Sequence, residues 1–236
     1  SKKYILNSKV YGFFHTSYPN NLLALNFTNS RFEPKPDVIF FNSDQYKESF
    51  IDKNDSITTK SFHSLKHYRV ESSAPLLQEY TSQPILVVFS GNQRDIDLMC
   101  DLINSYRGNT NFLLRTHPMY RFDVESKIQI RSYEVDNSSS LDIVFTRVTK
   151  VISTYSALAL EASLKGKAVG LVYDRKRLLF NPFDNTDQNN YSLISSDNEL
   201  SNFIELPGLI NDDRTNSFYN LDKLDYSYLA SQLNKS

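Results

Sequence analysis

The sequence predicts an α/β protein: a parallel sheet flanked by helices, preceded by a partial or reduced N-terminal α/β domain. Three observations point there. Between residues 84 and 206, short continuous apolar runs such as Ile85 to Phe89 (ILVVF) read as strands buried on both faces. Segments with helical spacing of apolar residues lie between those runs, and alternation on that length scale means βαβ units. The chain has 236 residues, 40 % apolar and 22 % charged, which supplies a core and argues against disorder.

In chain order, Val10 to His15 (VYGFFH) and Asp37 to Phe41 (DVIFF) read as short strands, with Pro34 and Pro36 breaking what precedes the second. Asp44 to Phe50 reads as a short helix with Asp44 near its start. Residues 52–82 are polar and mixed, and a boundary is expected at 72–84, giving domains 1–80 and 81–236. Ile85 to Phe89 is followed by the turn Ser90-Gly91-Asn92. Asp95 to Tyr106 has apolar residues at 96, 98, 99, 102 and 103, a helical pattern that Gly108-Asn109 stops. Phe112 to Arg115 is the next strand, ending in Thr116-His117-Pro118, and Ile128 to Ile130 is expected as a third. Ser138 to Val148 reads as a helix with serines available to cap it. Val151-Ile152 forms a fourth strand, Ser153 to Lys165 a loop running into a helix, and Lys167 to Tyr173 a fifth strand. Asp197 to Glu205 and Tyr226 to Leu233 are expected helices.

Composition removes several function classes. With 26 Lys and Arg against 27 Asp and Glu the net charge is −1, without the basic surplus of a general nucleic-acid binder. A single cysteine, Cys100, excludes an intramolecular disulfide framework and Cys-rich zinc modules. No run approaches the ~20 apolar residues of a membrane helix, and Ser1-Lys2-Lys3 is followed by no apolar core of a signal peptide. The expectation is a soluble, cytoplasmic protein. Only 6 glycines are present, with no GxGxxG and no GxxxxGK[ST], so phosphate binding requires a device other than a Gly-rich loop.

In parallel sheets, ligands sit beyond the carboxyl ends of the strands, which singles out four loops: Ser90–Arg94, Thr116–Tyr120, Arg131–Ser138 and Ser153–Ala157. Arg115-Thr116-His117-Pro118 offers a guanidinium fork and an imidazole to a phosphate, with Pro118 stiffening the turn; the plainer reading is a turn and a solvated strand end. Ser153-Thr154-Tyr155-Ser156 opens a small-residue helix whose N-terminus can hold an anion without glycines. Glu161, in its second turn, is placed to accept from ribose hydroxyls. The plainer reading there is an ordinary capped helix. Gly91 would let the backbone after the first buried strand approach a ligand, with Asn92 beside it, or would simply serve the turn. His15 is a candidate base or acceptor-orienting group, or an aromatic-rich strand end. Asp37, Asp44 and Asp142 are further candidate acids or bases, and nothing in the sequence singles one out. His63 and His67 lie four apart, but no acid accompanies them, so no metal site is expected. Cys100 falls on the apolar face of its helix and reads as core.

Taken in order, a strand ending in Ser-Gly, a strand ending in Arg-x-His-Pro, and a strand–loop–helix reading Ser-Thr-x-Ser-(x)4-Glu-Ala resemble the nucleotide-binding half of GT-B glycosyltransferases. The pattern is most similar to the bacterial surface-polysaccharide group of CDP-glycerol glycerophosphotransferases, polysialyltransferases and capsule Kdo transferases. Val10 to His15 resembles a strand that in many relatives leads into Gly-x-Gln-His-Gly. Phe14 stands here where Gln is usual, and Thr16 where Gly is usual.

The resemblance implies a Rossmann-like domain over 81–236 and an acceptor-side domain over 1–80. It implies a metal-independent glycosyltransferase without cofactor. The donor is a nucleotide-activated sugar, CMP-linked ahead of CDP- or UDP-linked, and the acceptor a polysaccharide or glycolipid at the inner membrane face. Gly91, Asn92, Arg115, His117, Pro118, Ser153, Thr154, Ser156 and Glu161 would bind the donor, and His15 or Asp44 would serve as base. The alternatives are a non-catalytic nucleotide-sugar-binding module and a sugar-nucleotide 2-epimerase.

Overall fold

A computed structural model describes residues 9–14, 36–51, 57–62, 83–120, 122–138, 140–177, 181–183 and 191–205. The chain separates into two compact units, residues 1–70 with 216–236 and residues 71–215.

The first unit carries a parallel sheet in the order β1-β2-β3, from β1 (Tyr11–Phe14), β2 (Val38–Phe41) and β3 (Thr58–Ser61), with α1 (Asp44–Ile51) between the last two. The central strand, VIFF, is buried along its length, as a strand flanked on both sides must be. Aromatic rings knit the unit together: Phe13 stacks on Phe40 at 4.9 Å, and Phe41 meets Phe50 at 5.0 Å. Strand β3 (TTKS) alternates exposed and half-buried residues, the pattern of an edge, within a segment the sequence presents as polar and mixed.

The second unit is a six-stranded, wholly parallel sheet. Its strands are β4 (Ile85–Val88), β5 (Phe112–Arg115), β6 (Tyr133–Val135), β7 (Lys150–Ser153), β8 (Ala168–Val172) and β9 (Tyr191–Ile194), in the order β6-β5-β4-β7-β8-β9. Helices α2 (Gln93–Ser105), α3 (Val124–Lys127), α4 (Leu141–Arg147), α5 (Ala157–Leu164) and α6 (Asp197–Glu205) complete it. Ile96, Met99 and Ile103 of α2 and Leu200, Phe203 and Ile204 of α6 share one core with Ile85, Val87, Phe112, Leu114, Ile152 and Ile194. That set takes alternate residues of the strands, so both helices cover one face. Gly170 of β8 is required there, because a Cβ would come within 2.5 Å of Ile194 and 3.0 Å of Phe203. Helix α5 packs on β7 and β8, and Ala159 and Ala162, both fully buried, let it lie close. It ends at Gly166, whose φ of 72° supplies the left-handed turn. Gly166 N–H bonds Ser163 C=O, and Lys167 N–H bonds Ala162 C=O.

One strand lies elsewhere than expected. Ile128–Ile130 is not a strand, because Asp123 caps α3 by accepting from Glu125 and Ser126 N–H, and Ile128 closes that helix through the Val124 carbonyl. The third strand is Tyr133–Val135, inside a segment read as a loop. Cys100 is buried in the α2 face, as its spacing predicts. Residues His63, His67 and the expected helix Tyr226–Leu233 lie outside the described residues.

Candidate functional site

Counted from β4, the sheet order is 3-2-1-4-5-6, the doubly wound arrangement, and its direction reverses between β4 and β7. In a sheet of this order the loops leaving the two strands at the reversal part to opposite faces, and ligands sit beyond the carboxyl ends there. The register sets Val88 of β4 level with Arg115 of β5 and with Ser153 of β7. Eight of the sequence-predicted residues lie in loops at this end: Gly91 and Asn92 after β4, Arg115, His117 and Pro118 at and after β5, and Ser153, Thr154 and Ser156 at and after β7. Glu161 follows on the second turn of α5, half-buried and engaged within the chain.

The β4 and β5 loops meet. A Cβ on Gly91 would lie 3.5 Å from His117 Nδ1 and 3.7 Å from its ring carbons, so Gly91 faces the imidazole across a gap that one carbon would fill. Tyr120 Oη donates to Gln93 Oε1 at 2.7 Å and stitches the same loops together. The Met119 N–H donates to His117 Nδ1 at 3.2 Å. In the neutral ring this puts the proton on Nε2, so the turn built by Pro118 presents an N–H donor.

The other loops are held from within. Asn92 Oδ1 caps α2 by accepting from Arg94 N–H at 3.0 Å, and Ser156 Oγ caps α5 by accepting from Leu158 N–H at 3.1 Å. Ser153 and Thr154 are buried, and their hydroxyls have no hydrogen-bond partner among the described residues. An unmatched buried hydroxyl costs about 1–3 kcal/mol; Asn42 and Ser43, ahead of α1, are buried and unmatched in the same way among the described residues.

Arg115 is anchored. Its Nη1 pairs with Asp136 and donates to the Ser138 carbonyl at 3.1 Å and to Ser138 Oγ at 3.3 Å. Burial pushes the Asp136 carboxyl up, but the Ser138 hydroxyl and N–H, then Arg115, outweigh it and hold the group below its usual range. Nη2 and Nε of Arg115 make no hydrogen bond among the described residues.

Sequence reading missed Asp136, Asp95 and Arg177. Ser90 Oγ donates to Asp95 Oδ2 at 3.2 Å, and Arg177 of the segment after β8 stands 3.7 Å from Asp95 Oδ1. Asp95 was visible as the acid in the first turn of α2; Arg177 carried no motif.

Of the candidate bases, Asp44 lies in the first unit, at the start of α1. Its Oδ1 accepts from Lys47 Nζ at 2.7 Å and from the Ser61 hydroxyl. Asp37 accepts from the Val10 N–H at 2.7 Å, and Asp142 pairs with Lys165 at 2.6 Å. His15 lies outside the described residues. Among the described residues, no group of His, Cys, Asp and Glu side chains could hold a metal ion, and no helix is long and apolar enough to cross a membrane.

No family model matches the chain, and no curated protein matches it. Among solved structures it is similar to the wall teichoic acid polymerase TagF, with 10 % identity and a TM-score of 0.44 over 98 % of this chain and 69 % of that one. A substituted form of the same polymerase matches with 11 % identity and a TM-score of 0.43 over the same shares. The α/β class stands on the two parallel sheets themselves.

Proposed function

We propose that this chain is a GT-B-type glycosyltransferase, moving a sugar from a nucleotide-activated donor, CMP-linked by preference, to a surface polysaccharide or glycolipid acceptor. The observation that carries the proposal is the convergence at the β4/β7 reversal. There the Nε2–H of His117, the start of α5 and the unmatched hydroxyls of Ser153 and Thr154 gather at one sheet end without a glycine-rich loop. All are donors or positive dipole ends, and together they suit a phosphate.

In the transfer, an acceptor hydroxyl attacks the anomeric carbon, the bond from that carbon to the donor phosphate oxygen breaks, and the nucleotide leaves with the electron pair. Negative charge grows on the departing phosphate, where preorganised donors lower the barrier most. His117 and the β7 hydroxyls meet that charge, Arg115 reaches it with Nη2 and Nε, and the Arg115–Asp136 pair holds the strand end in place. The proton of the acceptor hydroxyl passes to a base, for which the sequence offers Asp44 and His15 as candidates.

A thermal-shift titration with CMP, CDP and UDP tests the donor site. A ligand that binds only the folded chain adds about 2.7 kcal/mol at 100 times its Kd, so one nucleotide should raise Tm by several degrees and His117→Ala should abolish the rise. No rise with any of the three removes the donor-site reading. A rise without sugar transfer to acceptor leaves a binding module in its place.

A further inference from the structure

We propose that Arg177 reads a second anionic group of the bound donor, beyond the phosphate held by His117 and the α5 start; this rests on the donor site proposed above. Three observations carry it. First, position. Asp95 follows β4 and Arg177 follows β8, and β7 lies between these two strands. The Asp95–Arg177 pair therefore spans the end of β7, where Ser153 and Thr154 sit. It is also joined to the phosphate side, since the Ser90 hydroxyl bonds Asp95 and the next residue, Gly91, faces the His117 ring.

Second, unspent donors. The Arg177 guanidinium stands 3.7 Å from Asp95 through Nη1 and 3.5 Å from Asp174 through Nε. Both separations exceed a normal N–H···O bond, and among the described residues its side chain makes no hydrogen bond. Arg175, two residues earlier, is tied down instead: Nε bonds Ser195 Oγ at 2.6 Å and Nη2 bonds Glu199 at 2.7 Å. Two carboxylates thus steer Arg177 without satisfying it.

Third, exchange. Partly exposed ion pairs of this kind are weak, whereas a planar guanidinium forms two parallel bonds with a phosphate or carboxylate. An arriving anion can take Arg177 from Asp95 at small cost. The chemistry is shared by the distal phosphate of a nucleoside diphosphate and the carboxylate of an acidic sugar.

The test is calorimetric titration of the intact chain with CMP, CDP and CMP-N-acetylneuraminate, repeated on Arg177→Ala, Arg177→Lys and Asp95→Asn. Arg177→Ala should leave CMP binding in place and cut one preference about tenfold, the worth of one charge-assisted contact. Loss of the CDP-over-CMP preference identifies a phosphate; loss of the CMP-N-acetylneuraminate-over-CMP preference identifies a carboxylate. Asp95→Asn, which keeps an acceptor for Ser90 but releases Arg177, should widen the same ratio. Arg177→Lys keeps the charge and loses the fork, so it reads the ratio even where the alanine variant does not fold. Both ratios unchanged, with CMP still bound, would overturn the proposal and leave Arg177 a loop tie. No binding of CMP, CDP or CMP-N-acetylneuraminate by the parent chain would overturn this inference, and absence of UDP binding as well would overturn the donor site with it.

Discussion

Arg115 shows how one residue serves a site through its neighbour. The Asp136 side chain is 2 % exposed and that of Arg115 20 %, so removing the cation strands a buried carboxylate. Arg115→Ala should cost about 3 kcal/mol or more, read as a lowered midpoint in urea. Replacing both partners, Arg115→Met with Asp136→Leu, should recover most of that stability while still weakening nucleotide binding. A double variant as unstable as the single one would show that the pair is not the source. Arg-x-His-Pro was legible in the sequence because its residue types suit a phosphate at a strand end. Asp136 was not, because it reaches Arg115 only through the β5–β6 register, and Val-Asp-Asn-Ser reads locally as a turn. Cys100 was legible for the opposite reason, since helical spacing alone puts it inside. Burial pushes its thiol up to about 11, so thiol reagents should label the native chain far more slowly than the urea-unfolded chain at neutral pH.

At the scale of elements, legibility followed burial. Strands β4, β5, β7 and β8 are apolar along most of their length and were read within two residues of their ends. The missed strands β3 and β9 are sheet edges with polar or exposed positions, TTKS and YSLI, and what makes them strands is the neighbour they pair with. Strand β6 lies five residues beyond the expected Ile128–Ile130, because Ile128 closes a short helix instead. The start of α6 is a local device: Ser196 Oγ accepts from Glu199 N–H, and the Glu199 carboxylate accepts from the Ser195 N–H at 2.7 Å and its hydroxyl at 2.8 Å. The Ser195 hydroxyl and N–H hold the Glu199 carboxyl down to about 2, from the usual 4.5. The folded state thus favours the ionised form. Its stabilisation is complete above about pH 4.5 and is lost as pH falls toward 2. Glu199→Gln should therefore lower stability at pH 7 by about 1 kcal/mol, the value of a cap, and the gap from the parent chain should close between pH 4.5 and 2. A gap that stays constant down to pH 2 would mean that the charge is not what the cap uses.

The molecule as a whole divides its sequence between two sheets, and this division makes a prediction about where a ligand is felt. All the proposed donor contacts, Gly91, Arg115, His117, Ser153, Thr154 and Arg177, belong to residues 71–215, whereas β1–β3 and Asp44 belong to the other unit. A nucleotide that binds the folded six-stranded unit lowers the population of its opened forms. At 100 times Kd the 2.7 kcal/mol gained corresponds to about a hundredfold slowing of exchange for amides that open with the site. Hydrogen exchange on the intact chain with CMP should therefore show protection in residues 89–95, 116–120 and 154–158, the loops at the carboxyl ends of β4, β5 and β7. It should propagate into β4 and β7, which share the site's cooperative unit. Amides of β2 and α1 should exchange at unchanged rates, because nucleotide alone engages no residue of that unit. Equal slowing in both would mean that they open as one body. Slowing confined to residues 38–51 would put the nucleotide on the wrong sheet and end the assignment of the donor to the β4/β7 crevice.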